Sequence, residues 1–222
     1  MLDYNEFYLY LIRHGQSAVN VLPDRVGQKG DVPLTEKGRE QAQLLGERLA
    51  YKDKVSFDYV YSSDYTRAYD TAQIATGNNQ PLVLAPSLRE YSAGDWTDGS
   101  RSAAYTVPTL LRMAAMTNAF LPPNGESLHM VERRASQWLE DAILYNKQIS
   151  EYASNRRATR QPPLNIFAFS HGMTIKCLLH YIMGFDQGFT WKLTLENTSI
   201  SKLYFGQEGW RLITINDHAH LL

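Results

Sequence analysis

The sequence contains a single cysteine, Cys177, so an internal disulfide bond is excluded. A chain without disulfides is typical of a reducing compartment. The neighbouring residues, TIKCLLHYIMG, have the pattern of a buried helix. We therefore predict that Cys177 is a small core side chain and not a reactive thiol.

An excess of charge and a long apolar run are also missing. The formal net charge is −1, so no overall basic field favours nucleic acid or an acidic membrane surface. No apolar run approaches the ~20 residues of a membrane-spanning helix. The first residues, MLDYNEF, lack the basic and apolar regions of a signal peptide. We expect a cytoplasmic protein that binds neither nucleic acid nor membrane.

The composition is that of a globular protein. Hydrophobic residues make up 44% of the chain and charged residues 20%, which allows a packed core. A length of 222 residues fits one large α/β domain that carries an insertion. We therefore predict a single domain over residues 1–222.

Strands and helices alternate along most of the sequence. Four apolar segments have the pattern of strands: 7–13, 57–63, 81–88 and 164–170. Helices are predicted over 34–52, where Thr35 is a candidate N-cap, and over 64–76. Two further strands, SISKLYFG and WRLITIN, form a predicted terminal hairpin. This order predicts an α/β fold, a three-layer α/β/α sandwich whose mostly parallel sheet has an antiparallel edge strand.

The stretch 91–125 departs from this alternation. It is rich in Gly, Ser, Thr and Pro but also carries several Met and aromatic side chains. We predict an insertion that forms a lid over the sheet and is partly helical over 103–119. A long helix is predicted next, over about 126–152. The Arg- and Pro-rich segment 155–163 is predicted to be an exposed loop whose basic cluster is a solvated surface.

Two of the predicted strands end in the same way. His14 and His171 each follow an apolar strand and precede a glycine, and Arg13 stands directly before the first of them. If these strands are neighbours in a parallel sheet, both histidines reach its carboxyl edge, where α/β proteins bind ligands. Glycine lets the backbone approach a ligand closely, and the helix predicted after His171 would direct its first N–H groups at an anion. The pattern indicates an anion site.

The segments that carry these residues resemble one family. LIRHGQSAVN is similar to the R-H-G-x-[ST]-x-x-N signature of the histidine phosphatase superfamily, the phosphoglycerate mutase-like proteins. DVPLTEKGREQAQLLGERL, SSDYTRAYDTA and LREYSAGDW resemble further segments of that family, and PPNGES, SHG, NTSI and the terminal NDHAHL also fit. The resemblance covers nearly the whole chain in order, and it implies a phosphoglycerate mutase-like fold.

This resemblance implies a role for each residue of the anion site. His14 is the nucleophile and carries a phosphohistidine, Arg13 and Arg67 clamp the phosphate, and His171 and Asn20 are further donors. Imidazole attacks phosphorus only when neutral, and its reference pKa of ~6.5 makes that form available near pH 7. Guanidinium groups match phosphate with paired donors. On spacing alone, Arg67 could equally be a surface arginine paired with an acid, and the resemblance favours the site.

Phosphoryl transfer also needs a proton for the leaving oxygen and then a base for the attacking water, and one carboxyl can serve both steps. The resemblance assigns this work to Glu90 in SLREYSAGDW. Asp95 and Asp98 are nearby alternatives. Glu126 in NGES is more typical of a helix start, and it can stabilise the base of the lid.

Two further positions are expected near the phosphate. Ser17 occupies the hydroxyl position of the signature, where a structural role in the turn and a contact with the ligand are both open. Gly172 follows the second histidine and is expected at the phosphate. The terminal histidines of HAH, His218 and His220, are not expected to bind a metal, because no cysteine or acidic cluster surrounds them in sequence.

The expected reaction is the hydrolysis of a phosphomonoester in two steps, with no metal and no cofactor, because two arginines supply the positive charge. The alternative is return of the phosphoryl group to a second hydroxyl, the mutase reaction. The run REYSAGDWTDGS departs from the ERHYGxLxGxNK pattern of cofactor-dependent mutases, and Arg101 and Arg112 are scattered. We therefore favour a phosphatase over a mutase, with a non-catalytic phosphate-binding scaffold third. The expected partner is a small-molecule phosphomonoester, and a homodimer is left open.

Overall fold

The computed structural model describes residues 5–22, 24–27, 31–77 and 80–222. Within these ranges, one sheet has the strand order β3-β2-β4-β1-β5-β6. Its strands are β1 Phe7–Arg13, β2 Tyr59–Ser62, β3 Leu82–Leu84, β4 Leu164–Ser170, β5 Ile200–Gly206 and β6 Gly209–Asp217. Strands β1 to β4 pair in parallel, whereas β5 and β6 pair antiparallel at one side. The predicted mixed sheet is confirmed.

The helices cover both faces of this sheet. They are α1 Glu36–Glu47, α2 Thr66–Thr76, α3 Arg101–Ala104, α4 Val107–Met116, α5 Leu128–Leu139, α6 Lys147–Ala158, α7 Gly172–Met183 and α8 Phe189–Lys192. The N-cap predicted for α1 is confirmed, since the hydroxyl of Thr35 accepts a hydrogen bond from the N–H of Gly38 at 3.1 Å. No helix of the described ranges is long and apolar enough to cross a membrane.

Alternation of side chains along the central strands divides the core into two layers. Leu9 and Leu11 of β1 point to the layer that α5, α6 and α7 cover. Tyr10 and Ile12 point to the opposite layer, which α1 and α2 cover. Cys177 of α7 is 2% exposed, and burial raises the pKa of its thiol. The three-layer sandwich and the buried cysteine are therefore confirmed.

The long helix predicted over 126–152 is wrong. Helix α5 ends at Leu139, a π-helical turn follows, and α6 begins anew after Asn146. The side chain of Asn146 accepts hydrogen bonds from the N–H groups of Gln148 and Ile149, at 3.0 and 3.3 Å, and so caps the new helix. The helical spacing of apolar residues continues on both sides of Asn146, so the sequence pattern did not indicate a new helix start there.

The exposed loop predicted over 155–163 is also wrong in part, because α6 continues to Ala158. Within it, Arg156 is not a solvated charge. Its guanidinium lies 2.8 Å from the carboxylate of Asp58, whose side chain is only 8% exposed. This ion pair fastens the end of α6 to the segment that leads into β2.

Residues 91–125, the insertion, build a small hydrophobic cluster of their own with Val26. The helix predicted over 103–119 is interrupted between α3 and α4. The hydroxyl of Thr106 accepts a hydrogen bond from the N–H of Thr109 at 3.4 Å and starts the second helix. Closure of the insertion over a substrate stays a prediction.

The two ends of the insertion lie side by side, and we call the segments 92–95 and 123–126 its neck. The N–H of Glu126 donates to the carbonyl of Ser92 at 2.9 Å, and the N–H of Asp95 donates to the carbonyl of Pro123 at 2.9 Å. Gly94 has a φ of +59°, and an added Cβ would lie 2.1 Å from the carbonyl oxygen of Pro123. The two chain segments are therefore in backbone contact where the insertion begins and ends.

Candidate active site

The two strand–histidine segments meet because β1 and β4 are neighbours. Arg13 and Ser170 are opposite each other in the parallel register. The N–H of His14 donates to the carbonyl of Ser170 at 2.9 Å. The imidazole rings of His14 and His171 consequently lie with their centroids 5.1 Å apart.

One ring nitrogen of His14 is occupied by the backbone. Its Nδ1 lies 2.6 Å from the carbonyl oxygen of Gly15. Since a carbonyl oxygen can only accept, Nδ1 carries the proton and Nε2 holds the lone pair. The Nε of Arg67 donates to this Nε2 at 3.3 Å. The turn after β1 thus fixes both the tautomer and the direction of the His14 ring.

The charge state of His14 follows from its surroundings. Its side chain is 4% exposed. Burial, and then the positive charges of Arg13 and Arg67, lower the pKa of His14 well below its ordinary 6.5. The imidazole is therefore neutral at pH 7, which is the form that can attack phosphorus.

Arg67 is a buried residue of the first turn of α2. It is 8% exposed, and its guanidinium lies over the ring of Tyr65 at 5.0 Å from the centroid. Burial lowers its pKa. A surface arginine paired with an acid, the alternative that spacing allowed, is therefore excluded.

Arg13 leaves part of its guanidinium available. Its Nη1 donates to the carbonyl of Leu195 at 2.5 Å. Its Nε is buried and has no hydrogen-bond partner within the described ranges. Burial lowers the pKa of this side chain too. An N–H donor in such a position can serve a bound anion.

His171 has the opposite arrangement from His14. It is fully buried, and its Nε2 lies 2.8 Å from the hydroxyl of Ser63. That hydroxyl accepts a hydrogen bond from the N–H of Tyr65 at 3.3 Å, so its proton is free to be donated to Nε2. Where that hydroxyl donates to Nε2, the proton of the neutral ring is on Nδ1, which is buried without a partner among the described residues. Burial, together with the positive charges of Arg67, Arg134 and Arg13, lowers the pKa of His171 well below its ordinary value.

The carboxylate of Glu90 lies against the N-terminal end of α7 in space. Its Oε1 accepts from the N–H groups of Tyr91, at 2.9 Å, and Thr174, at 3.3 Å, and its Oε2 accepts from the N–H of Met173 at 3.3 Å. Two N–H groups of the first turn of α7, those of Met173 and Thr174, therefore bind a carboxylate of the chain itself, and their contact with a bound anion stays a prediction. This interaction holds Glu90 at the edge of the site.

The other carboxylates near Glu90 are engaged elsewhere. Asp95 accepts from the side-chain amide of Asn124 at 2.9 Å, and Asp98 pairs with Arg25 at 2.9 Å. Both interactions lie within the insertion or between it and the preceding loop. Of the three acids considered, only Glu90 contacts α7 at the carboxyl edge of the sheet.

Glu126 fastens the backbone that carries Glu90. Its carboxylate forms two hydrogen bonds with Arg134, at 2.8 and 3.0 Å. The same guanidinium donates to the carbonyls of Ser87, Arg89 and Glu90, at 2.7, 2.8 and 3.2 Å. The expectation that Glu126 stabilises the base of the insertion is confirmed, and Arg134 is a residue that we did not predict.

Asn20 and Ser17 form one hydrogen-bonded turn. The Oδ1 of Asn20 accepts from the N–H and the hydroxyl of Ser17, at 2.9 and 3.1 Å. Ser17 is fully buried, whereas Asn20 is exposed and can offer its Nδ2 to a ligand. The structural role of Ser17 is therefore present, and its contact with a ligand stays a prediction.

The glycines after the histidines serve different purposes. A Cβ on Gly15 would lie 2.5 Å from the carbonyl oxygen of Gly38, so glycine is needed there for the approach of α1 and not for a ligand. A Cβ on Gly172 would lie 3.5 Å from Nε of Arg13 and 3.9 Å from Oε2 of Glu90, which are ordinary contacts. Gly172 therefore lies close to both the Arg13 guanidinium and the Glu90 carboxylate.

Three neighbours of the histidines went unrecognised in the sequence. Ser63 contacts His171, as described above. The Nδ2 of Asn197 donates to the carbonyl of His14 at 2.9 Å, and the N–H of Thr198 donates to the carbonyl of Arg13 at 3.0 Å. The motifs SSDYTRAYDTA and NTSI contained them, but neither motif indicates that its hydroxyl or amide groups face a histidine.

An apolar cavity lies apart from this site. It has a volume of about 730 Å³ between the insertion and α8, and its lining includes Tyr105, Leu110, Met113 and Trp191. No candidate site residue is among its lining residues in the described part of the chain. The same ranges hold no cluster of three or more His, Cys, Asp or Glu suited to a metal ion.

Known proteins share this sequence and fold. The model of the histidine phosphatase superfamily (branch 1) matches residues 9–218. A protein described as "Probable phosphoglycerate mutase GpmB" from Erwinia tasmaniensis is 31% identical over 221 residues, which cover 96% of this chain and 94% of the relative.

Two solved phosphatase structures have the same fold. A mutant phosphoserine phosphatase from Entamoeba histolytica, in complex with phosphoserine, has a TM-score of 0.77 at 22% identity, over 97% of this chain and 100% of that one. The alpha-ribazole phosphatase from Shigella flexneri has a TM-score of 0.74 at 24% identity, over 96% and 97%. With a family match over most of its length, the chain belongs to the histidine phosphatase superfamily.

Proposed function

We propose that this protein is a metal-independent phosphomonoester phosphatase that forms a phosphohistidine on His14. The observation that carries the proposal is the tautomer of this ring, because the carbonyl of Gly15 holds the Nδ1 proton and leaves the Nε2 lone pair facing Arg67. Around it, Arg13 and His171 each present a buried N–H without a partner in the described ranges. A phosphoryl group placed against Nε2 would meet these donors.

In the first step, Nε2 of His14 attacks phosphorus while the bond from phosphorus to the leaving oxygen breaks. Negative charge lies on the three equatorial oxygens in this transition state, and fixed donors stabilise it. Arg13, Arg67 and His171 are proposed to supply these donors, with Nδ2 of Asn20 as a neutral one. Glu90, protonated at this stage, gives its proton to the departing alkoxide.

In the second step, the ionised carboxylate of Glu90 takes a proton from a water molecule as its oxygen attacks phosphorus. The bond between phosphorus and Nε2 breaks, phosphate leaves, and both Glu90 and His14 return to their starting states. Three backbone N–H groups already fix the direction of the Glu90 carboxylate. The arrangement therefore supports one carboxyl group in both steps.

A phosphoglycerate mutase is the second candidate, because the curated relative from Erwinia tasmaniensis carries that description. The same phosphohistidine could pass its phosphoryl group to a second hydroxyl of the substrate. The insertion supports the phosphatase, since its run REYSAGDWTDGS departs from the pattern of cofactor-dependent mutases, and Arg101 and Arg112 are scattered. The Met, Tyr and Trp side chains of the insertion favour a small phosphomonoester whose organic part is largely uncharged.

The proposal is tested by assaying the full chain, with chelator present, on p-nitrophenyl phosphate and a panel of phosphorylated metabolites. The panel includes 3-phosphoglycerate with its bisphosphate primer. Release of phosphate, together with an acid-labile, base-stable phosphoprotein in rapid-quench samples, is the expected result. Isomerised phosphoglycerate without phosphate release would instead establish the mutase. Tight binding of inorganic phosphate without any turnover would establish a phosphate-binding scaffold.

A further inference from the structure

The C-terminal turn contains a histidine for which the proposed mechanism has no use. The Nε2 of His220 lies 2.9 Å from the hydroxyl of Thr198, in the segment that follows α8. That hydroxyl already donates its proton to the carbonyl of Asn197 at 2.7 Å. Since one hydroxyl has one proton, a Thr198 hydroxyl that donates to Asn197 accepts from His220, and Nε2 of His220 is then the donor.

Thr198 has an unusual backbone conformation. Its φ is +58°, in the left-handed region that β-branched residues rarely adopt, and its side chain is fully buried. Such a conformation persists only where its surroundings hold it in place. Its hydroxyl, bonded on both sides, is the part of Thr198 through which the surroundings can do so.

The amide of the same residue reaches the proposed nucleophile. The N–H of Thr198 lies 3.0 Å from the carbonyl oxygen of Arg13 and 3.3 Å from that of His14. The Nδ2 of Asn197 adds a donor to the carbonyl of His14 at 2.9 Å. A hydrogen-bonded chain therefore runs from the C-terminal turn to the backbone of the two residues at the end of β1.

His220 itself is held from the other side. The guanidinium of Arg48 makes two hydrogen bonds to the carboxylate of Asp217, at 2.9 and 2.6 Å, which fastens the end of β6 next to α1. The carboxylate of Asp217 also accepts from the N–H of Ala219 at 3.1 Å. The turn that presents His220 is thus rigidly attached to the sheet and to α1.

We propose that His220 is a positioning residue for the nucleophile. By donating to Thr198, it holds that residue in its left-handed conformation, and Thr198 in turn fixes the backbone of Arg13 and His14 for attack on phosphorus. This inference rests on the proposed function of His14. It assigns to the terminal histidine a role through hydrogen bonding and not through metal binding or direct contact with substrate.

The test compares His220→Leu with His220→Gln, whose side-chain amide can replace the Nε2 donor. His218→Leu is the matched control, because the His218 ring contacts the carbonyl of Asn216 and not Thr198. With p-nitrophenyl phosphate, His220→Leu should lower kcat about tenfold with KM nearly unchanged, since misplacement of reacting groups affects the rate more than binding. His220→Gln should recover most of the rate, and His218→Leu should match wild type.

A second pair of variants tests the route through Thr198. Thr198→Val removes the acceptor, and adding His220→Leu to it should cost nothing further, because both changes break the same hydrogen bond. Equal rates for His220→Leu and wild type would overturn the proposal. Equal losses of kcat in His220→Leu and His220→Gln would also overturn it. So would losses of kcat that parallel the fall in thermal midpoint across all variants.

If the wild-type protein releases no phosphate from any substrate, the proposed function fails and the positioning role is still decided by a second measurement. Nitrogen-15 spectra of the histidines report the tautomer and surroundings of each ring. His220→Leu should shift the His14 resonances, whereas His218→Leu should leave them in place. Unchanged His14 resonances in His220→Leu would overturn the positioning role alone.

Discussion

The two histidines at the carboxyl edge of the sheet have almost the same context and opposite chemistry. Each follows a central parallel strand and precedes a glycine. In His14, Nδ1 donates a hydrogen bond to the carbonyl of Gly15, and Nε2 keeps its lone pair. In His171, the hydroxyl of Ser63 is the hydrogen-bond partner of Nε2, and Nδ1 is left as the donor. The first partner of each ring therefore supports the proposed roles, in which His14 attacks phosphorus and His171 stabilises charge.

Removing the lone pair should have the largest effect. His14→Ala is expected to lower turnover by about four orders of magnitude or more, as loss of a nucleophile does. No phosphoprotein should accumulate, while circular dichroism stays that of wild type, because His14 belongs to neither hydrophobic cluster of the sheet. Substantial turnover by His14→Ala, with the same substrate specificity, would contradict the assignment of the nucleophile.

Removing the donor should have a smaller effect. His171→Ala is expected to lower kcat by 10²- to 10³-fold, or ~3 to 4 kcal/mol, the usual cost of one lost oxyanion donor. Arg67→Ala should cost a similar amount. In both variants the phosphohistidine should still form, only more slowly, in rapid-quench experiments. His171→Asn, whose amide can replace the Nδ1 donor, is the control that should retain more activity.

Breaking the partner of the donor should have a smaller effect still. Ser63→Ala leaves Nε2 of His171 buried without its hydrogen bond, and we expect about a tenfold loss of kcat, or ~1.4 kcal/mol. The nitrogen-15 shifts of His171 should show that Nδ1 is no longer the preferred site of the proton. Ser62→Ala is the matched control, since Ser62 is equally buried and its hydroxyl donates to the carbonyl of Ser63 at 2.8 Å. If Ser63→Ala has the same kcat as Ser62→Ala, Ser63 does not orient the His171 ring.

The last prediction concerns stability against pH and not turnover. The pKa of His14 is lowered in the folded state. Below pH 6.5, His14 therefore binds a proton in the unfolded chain but not in the folded chain. The free energy of unfolding should therefore fall as the pH drops from about 6.5, with a slope of up to ~1.4 kcal/mol per pH unit from this group. His14→Gln should make the pH dependence shallower when unfolding is measured between pH 7 and 5. An unchanged slope would indicate that the folded protein accepts the proton.

Much of the fold was predictable because its signals are local. Apolar runs gave the strands, and periodicity together with the Thr35 cap gave α1. The break between α5 and α6 was missed because the decisive contact is a single side chain, that of Asn146, within a sequence that is otherwise helical. The buried pairing of Arg156 with Asp58 was missed because it joins residues 98 positions apart.

The candidate site divides in the same way. The residues proposed to bind phosphate were found through the family motifs, which preserve their order and spacing. Their supports were not, because tautomers and carbonyl contacts depend on packing between segments that are distant along the chain. Glu90 shows the limit most clearly: its residue type and place were predicted, whereas its hydrogen bonds to the N–H groups of Met173 and Thr174 in α7 were not.

The neck of the insertion has a consequence for how this chain can change. Because Ser92 and Glu126 are hydrogen-bonded to each other, the insertion starts and finishes at one point on the domain. The entropy cost of closing such a loop grows only slowly with its length. A change in the length of the stretch between them should therefore cost little free energy of loop closure. Such a change can leave the histidines in their places on the sheet, provided that the contacts of the insertion with Val26 and Arg25 are kept.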